Sequence, residues 1–397
     1  MNNTVAVAED INTIAGSNDN HSRTYKVLFV IDTLQTGGAE QSLLANVIRF
    51  KNMQPVVCHL YAGDQLKQRF IDHGITVHSV GLKKKYGFSQ AYKQLKAIVQ
   101  KEQPDIIVAY LTRSELVARV AGRFMHIPVI GNFVSDLYSH AYNSTLSWKS
   151  KMLVPFFKWA NRSTARFCKG FMAITEAVKQ SNGMALGIDA NKIEVIHRGR
   201  DSNTFRFQVP QTFPGKPLRF LNVGRLVPVK GQRDLILAFK EFLPACPHAV
   251  LHIAGDGPAR ESLSALINEL GLQNNVVLLG SRNDIPQLIN EYDCFVFPSH
   301  SEGFGAATLE AMFAGLPVLV SEIPAHKELI THLETGYFFE TGSVQSITQA
   351  LLWYKDNLAV ANAMAVNANE HARQHFELST IAAKMEKYLL NMIITKN

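Results

Sequence analysis

Ser299 to Ser321 reads SHSEGFGAATLEAMFAGLPVLVS. The apolar run CFVFP, Cys294 to Pro298, precedes it; Gly303 and Gly305 fall in its first turn, helix-forming residues follow to Ala314, and PVLV is again apolar. That order is strand, loop, helix, strand, the unit of parallel sheets. Two carboxylates stand eight positions apart in it, Glu302 in the loop and Glu310 about one turn into the helix. At about 1.5 Å rise per residue they bracket a helix N-terminus, whose unpaired amides and positive dipole end attract anions. A carboxylate beside a bound diphosphate would be repelled, so both acids call for hydrogen-bond donors, and sugar hydroxyls are such donors. The stretch therefore reads as a slot for a sugar, a diphosphate and a ribose in line. Gly303 and Gly305 admit backbone close to the ligand, with Phe304 in the same set, while Glu302 holds sugar hydroxyls and Glu310 accepts from the ribose diol. Either Glu alone reads as a solvated surface acid; the pair and its frame carry the assignment.

The same alternation of strand and helix runs through the chain. KVLFVI from Lys26, then QPVVCHLY, ITVHSV, DIIVAY, IPVIGNF, GFMAIT and KIEVIH are short apolar runs separated by segments of helical character. A second series is RFLNVG, AVLHIAG, NVVLLG, CFVFP and PVLVS. Alternation of this kind predicts a doubly wound α/β sheet, here one per series, with ligands at the carboxyl ends of the strands. Between the series, Asp201 to Pro217 has three prolines and no periodicity, which marks a linker.

Composition sets the bounds. A chain of 397 residues, 47% hydrophobic and 18% charged, is long enough for two ordinary globular domains. Its net charge of +7 favours anionic partners without choosing among them. Cys58, Cys168, Cys246 and Cys294 are scattered and form no CxxC pair, which fits free thiols in a reducing compartment. No apolar run is long enough to span a bilayer and residues 1–24 lack a signal-peptide core, so a cytoplasmic protein is expected.

Gly37 and Gly38 end the loop after the first strand, where backbone amides could approach a phosphate or sugar. No GxGxxG opens that helix, so a nicotinamide-type site is not supported. Arg225 and Lys230 follow the first strand of the second series, where fixed cations would stabilise charge on a departing diphosphate. Gly255, Asp256 and Gly257 read as a structural turn on the cleft floor. His371 and His375 form an H-x3-H pair without the glutamate of the metalloprotease motif and read as solvated.

The string from SEGFG to EAMFAGLPV closely resembles the E-x7-E donor motif of family 4 glycosyltransferases, retaining enzymes of the GT-B fold. GGAE, Gly37 to Glu40, is similar to their segment after the first strand, and GRL-x3-KG matches their diphosphate-binding pair. The resemblance implies two Rossmann-like domains facing across a cleft: a flexible leader over 1–24, an acceptor-side domain over 25–202, a linker over 203–217, a nucleotide-sugar domain over 218–375, and a last helix over 376–397 crossing back to the first domain. It implies catalytic roles for Glu302, Arg225 and Lys230. Donor-binding roles fall on Gly37, Gly38, Arg225, Lys230, Arg282, Glu302, Gly303, Phe304, Gly305 and Glu310, with Arg282 beside the nucleotide base. The reaction it implies moves a sugar from a nucleoside-diphosphate sugar to a glycan or lipid-linked acceptor with retained configuration, the departing phosphate helping to deprotonate the acceptor, in cell-surface polysaccharide or glycolipid synthesis. No D-x-D is present to hold a divalent metal, so neither metal nor other cofactor is expected; the nucleotide sugar is a substrate.

Two departures from the family pattern stand out. Val134 occupies the place of a donor-contacting His, with His140 a few residues on. The usual P-N-G before an Asp is replaced by His197, Arg198 and Gly199 ahead of Arg200 and Asp201, and the extra arginines suit a more anionic donor or acceptor. Leu146 to Arg162 interleaves Trp148, Phe156, Phe157 and Trp159 with Lys149, Lys151 and Lys158, a composition suited to an anionic membrane surface or to a core face beside a solvated one. Lys83, Lys84 and Lys85 add basic charge to the same domain; nucleic acid is not expected as a partner. Rival readings are a sugar-nucleotide epimerase of the same fold, which would need further acid and base residues, and a non-catalytic nucleotide-sugar or carbohydrate-binding protein.

Overall fold

The computed structural model describes residues 23–83, 87–136, 138, 148–209 and 216–395. Most of the leader, Lys84, Lys85, His140, Leu146, the 210–215 part of the linker, and the side chains of Trp148, Lys149 and Lys151 lie outside the described residues.

The first series of apolar runs forms β1 (Tyr25–Ile31), β2 (Met53–Tyr61), β3 (Thr76–Leu82), β4 (Ile106–Tyr110), β5 (Val129–Phe133), β6 (Gly170–Ala173) and β7 (Ile193–Val195). Among the described residues they make one parallel sheet in the order β3-β2-β1-β4-β5-β6-β7. Helices pack on both faces, which is why strands such as VLFVI are apolar at every position rather than at alternate ones. The second sheet contains β8 (Arg219–Val223), β9 (Val250–Ala254), β10 (Val276–Gly280), β11 (Cys294–Phe297), β12 (Val318–Ser321) and β13 (Tyr337–Phe339), in the order β10-β9-β8-β11-β12-β13. Its core includes Phe220 meeting Phe239, Phe242 and Tyr354 edge-on, with the Tyr354 hydroxyl donating 2.6 Å to Asp293 O. β13 adds a strand that the apolar runs did not reveal. Only three residues long and led in by a turn, it owes its place to pairing with β12.

Each sheet reverses its strand order once, between β1 and β4 and between β8 and β11. A crevice opens at such switch points, beyond the carboxyl ends of the strands. The loop after β8 crosses the end of β11 so closely that a Cβ on Gly231, with φ at +68°, would lie 2.1 Å from Pro298 O. Only glycine meets both demands.

After β7 the chain runs through Arg200, which bonds backbone to backbone with Phe376 and Leu378, at 3.1 and 2.9 Å. The final helix, Leu378–Ile394, lies on the first sheet. Its Glu386 accepts from the amides of Lys51, Asn52 and Met53, at 2.9, 2.6 and 2.9 Å, and Tyr388 donates to Phe171 O at 3.1 Å. All four cysteines are free, with Cys58, Cys168 and Cys294 buried and Cys246 half-buried. No helix among the described residues is long and apolar enough to cross a membrane.

Candidate active site

The second switch point gathers most of the expected residues. Lys230 comes from the loop after β8 and Glu302 from the loop after β11, and the two loops are tied where His300 N donates 2.8 Å to Val229 O and Ser299 Oγ 3.2 Å to the same carbonyl. That tie brings Lys230 Nζ into an ion pair with Glu302 Oε1, and the ammonium lies 5.5 Å from the centre of the Phe297 ring. Gly305, with φ at +86°, caps the Ala306–Ala314 helix without a side-chain bond, so the first-turn amides keep no intrahelical partner. A Cβ on Gly305 would lie 3.1 Å from His326 Cδ2. His326 is fully buried, its Nδ1 2.8 Å from Ser321 O and its Nε2 without a partner, and burial holds its pKa below the ordinary value.

Glu310 lies on the same helix, and its Oε1 receives Arg200 Nε at 2.7 Å. Phe304 is buried between the two glycines and stacks edge-on with Phe376. The Arg225 side chain is exposed, and its guanidinium makes no hydrogen bond among the described residues. Arg282, in the loop after β10, turns its guanidinium onto Asp284 instead, Nε to Oδ1 at 2.8 Å, and no contact joins it to Lys230, Glu302 or Glu310. Among the described residues no three His, Cys, Asp or Glu side chains converge as a metal site.

The first domain closes over this loop. Thr175 Oγ1 donates 3.2 Å to Gly303 O, and Val134 O lies 3.5 Å from where a Cβ on Gly303 would stand. Glu328, from the second domain, accepts from Glu176 N at 2.9 Å, from Ala177 N at 3.1 Å, and lies 3.0 Å from His197 Nε2. It thus satisfies two amides at the start of the Glu176–Leu186 helix. Burial raises the Glu328 pKa, but the bonds from His197 and the two amides outweigh it, and the net shift is downward. On the facing side, Gly37 caps the Gly38–Val47 helix without a side-chain bond, and a Cβ on Gly38 would lie 3.1 Å from Arg198 Nη1. Gly38, which the sequence placed at the end of the loop, is already helical.

Sequence reasoning named Arg198 and Arg200 as departures but missed the Arg200–Glu310 bond. It missed Thr175, His326 and Glu328 altogether. ELI after a proline carries no local sign that its acid caps a helix in the other domain; Thr175 ahead of Glu176 is a helix-cap signal that could have been found.

Two doubly wound domains, with a Lys–Glu pair and an open helix N-terminus at the switch point of the second, define a two-domain transferase of the GT-B fold. Family models agree over both halves: Glycosyltransferase Family 4 matches residues 36–204, and Glycosyl transferases group 1 matches residues 203–373. The chain belongs to the family 4 glycosyltransferases and is a glycosyltransferase. It is 28% identical over 313 residues to the UDP-Gal:alpha-D-GlcNAc-diphosphoundecaprenol alpha-1,3-galactosyltransferase of Escherichia coli, covering 76% of this chain and 79% of that one. To the capsular polysaccharide biosynthesis glycosyltransferase CapM of Staphylococcus aureus it is 24% identical, over 87% of this chain and 92% of CapM. Among solved structures, the Anabaena protein HepE in complex with UDP superposes with a TM-score of 0.80 at 24% identity, over 92% of this chain and all of that one, a likeness of fold.

Proposed function

We propose that this chain transfers a hexose, with retained anomeric configuration and without a metal ion, from a nucleoside-diphosphate sugar to a glycan or lipid-linked acceptor in cell-surface polysaccharide or glycolipid synthesis. One observation carries the reading: Lys230, Glu302, the open N-terminus of the Ala306–Ala314 helix and Glu310 stand together at the switch point. Such a row suits a ligand that presents sugar hydroxyls, then phosphate, then a ribose diol. Lys230 and Arg225 supply positive charge for the departing phosphate, the role a metal plays elsewhere. Glu302 holds the transferring sugar, and the leaving phosphate takes the acceptor proton on the same face. The relatives that act with UDP-galactose or in capsule synthesis support a polysaccharide or lipid-linked acceptor, and UDP-sugars are the first donors to try.

An anionic membrane surface is a further partner in this reading. The Trp148–Ala165 helix exposes Met152, Phe156 and Trp159 at four- and three-residue spacing, with Lys158 beside them, one apolar face that leaves a charged rim in water. That arrangement supports a protein working at the inner face of the membrane. The test is a donor screen for released nucleoside diphosphate with lipid and glycan acceptors, run with and without EDTA, followed by NMR of the product's anomeric proton. Transfer with retention that survives EDTA is the expected result; an inverted product or a strict need for a divalent ion overturns that part of the proposal.

A further inference from the structure

We propose that Arg198 is a phosphate-binding residue of the cleft, its guanidinium the counter-ion for a phosphate group of one substrate held against the Gly37–Gly38 turn. This rests on the transferase reading above and deepens it. Arg198 is half-buried, its Nε is closed off from solvent with no partner, and its Nη2 donates 3.2 Å to Val134 O. It forms no ion pair among the described residues. Arg119, Arg49 and Arg200 each hold an acid, Glu115 at 2.9 Å, Asp201 at 2.7 Å and Glu310 at 2.7 Å, while half-buried Arg260 shares the lack of one but does not face a glycine turn at a helix start. An enclosed guanidinium without an acid is costly, and the cost persists only where something else supplies the negative charge. Burial first, and then the like charge of Arg200, bring the group down to about 10, so it is still a cation at neutral pH.

What the guanidinium faces fits an oxyanion. Its Nη1 lies against Gly38, the first residue of a helix whose cap, Gly37, offers no side chain, so first-turn amides and the guanidinium fork converge. The acid of that turn, Glu40, is folded back onto Gly37 and accepts from Thr33 Oγ1 at 3.3 Å; Glu302 and, more weakly, Glu40 act on Arg198 as charges without a hydrogen bond. Ser42, Tyr110, Asn132, Val134, His197 and Arg198 line a small cavity at this place. Val134 brings only its carbonyl, and that carbonyl orients the arginine. Phosphate could arrive on the donor diphosphate or on a diphosphate-linked acceptor; the chemistry is shared.

The full chain should be titrated calorimetrically with UDP and with a short-chain GlcNAc-diphospholipid, each beside its phosphate-free counterpart, uridine and an alkyl GlcNAc. Arg198→Met keeps bulk but no charge; losing charge-assisted hydrogen bonds should weaken a phosphate probe roughly ten- to a hundred-fold while leaving its counterpart unchanged. Loss for UDP assigns the donor, loss for the lipid diphosphate the acceptor. Thermal stability of the variant should not fall, because an unpaired enclosed charge has been removed. Should Arg198→Met not fold, Arg198→Gln, which can still donate to Val134 O, carries the same expectation. Folded variants that bind both phosphate probes as tightly as wild type overturn the inference and leave the transferase reading intact. Wild type that binds neither probe and transfers no sugar sinks both.

Discussion

Arg200 Nε stands 2.7 Å from Glu310 Oε1, so the acid on the Ala306–Ala314 helix is held from the segment that joins the two domains. The same arginine pairs backbone to backbone with Phe376 and Leu378, at the point where the last helix returns to the first sheet. Glu310 is thus oriented by a residue whose own position depends on how the two domains sit. One carboxylate oxygen is taken by Arg200; the other has no protein partner among the described residues.

Arg200→Met should raise the donor KM about two- to five-fold and leave kcat nearly unchanged. Both side chains are partly exposed, so the pair is worth little as a salt bridge. What is lost is the orientation of Glu310, whose assigned contact with the ribose would act alike on ground and transition states. Steady-state kinetics across donor concentration checks this. A large fall in kcat with KM unchanged would place Arg200 in the chemistry instead.

Lys230 and Glu302 should show opposite consequences in one background. Lys230→Met removes the cation assigned to the departing phosphate and should lower kcat at least about a hundred-fold. It also leaves Glu302, a largely buried acid, without its partner, and so repelling any diphosphate bound there. Adding Glu302→Gln should then recover donor affinity several-fold without recovering kcat, since the repulsion goes but the missing cation stays missing. Binding of UDP by the single and double variants decides it, because residues in contact are not additive.

The contact between domains should be acid-labile. Glu328 has its pKa lowered in the folded protein by His197 and the amides of Glu176 and Ala177, against the pull of burial. A depressed carboxyl contributes stability above its unfolded value of about 4.3 and loses it as pH falls through the lower, folded value. Melting temperature should therefore fall more steeply below about pH 4 in wild type than in Glu328→Gln. That variant should be the less stable of the two near neutrality. Parallel melting curves against pH in the two proteins would remove Glu328 from this role.

The sheets were legible because a strand buried on both faces is apolar at every position, and the runs through KVLFVI, DIIVAY and CFVFP stand out against the helices between them. β13 was not, since YFF is too short to be distinguished without β12 beside it. Glu302, Glu310 and Lys230 could be named because loop, helix and glycine signals lie within a few residues of each and because that spacing resembles the family 4 motifs. Glu328 meets its partners more than a hundred residues away, where local pattern carries no information, and Thr175, legible as a helix cap, gives no local sign of its bond to Gly303. Arg198 was visible as an oddity, but only its place against Gly38 and Val134 shows what it faces.

The two acids of the donor stretch should separate in kinetics. Glu302 stands in the loop after β11 and is assigned to the transferring sugar, where its hydrogen bonds would strengthen as positive charge builds at the anomeric carbon. Glu302→Gln should therefore depress kcat at least about ten-fold with a modest change in KM. Glu310 is assigned to the ribose, whose charge hardly changes in the reaction, so Glu310→Gln should raise KM and spare kcat. Its free carboxylate oxygen is the acceptor in that contact, and the amide leaves one oxygen to be shared between Arg200 and the ligand. A 2′-deoxyribose donor should then cost wild type several-fold in KM but cost Glu310→Gln little more, because the hydroxyl and its acceptor form one coupled pair. Kinetics of both variants with both donors tests all of this at once. If the mutation and the missing hydroxyl simply add, Glu310 does not meet the ribose, and its bond to Arg200 is then its whole role.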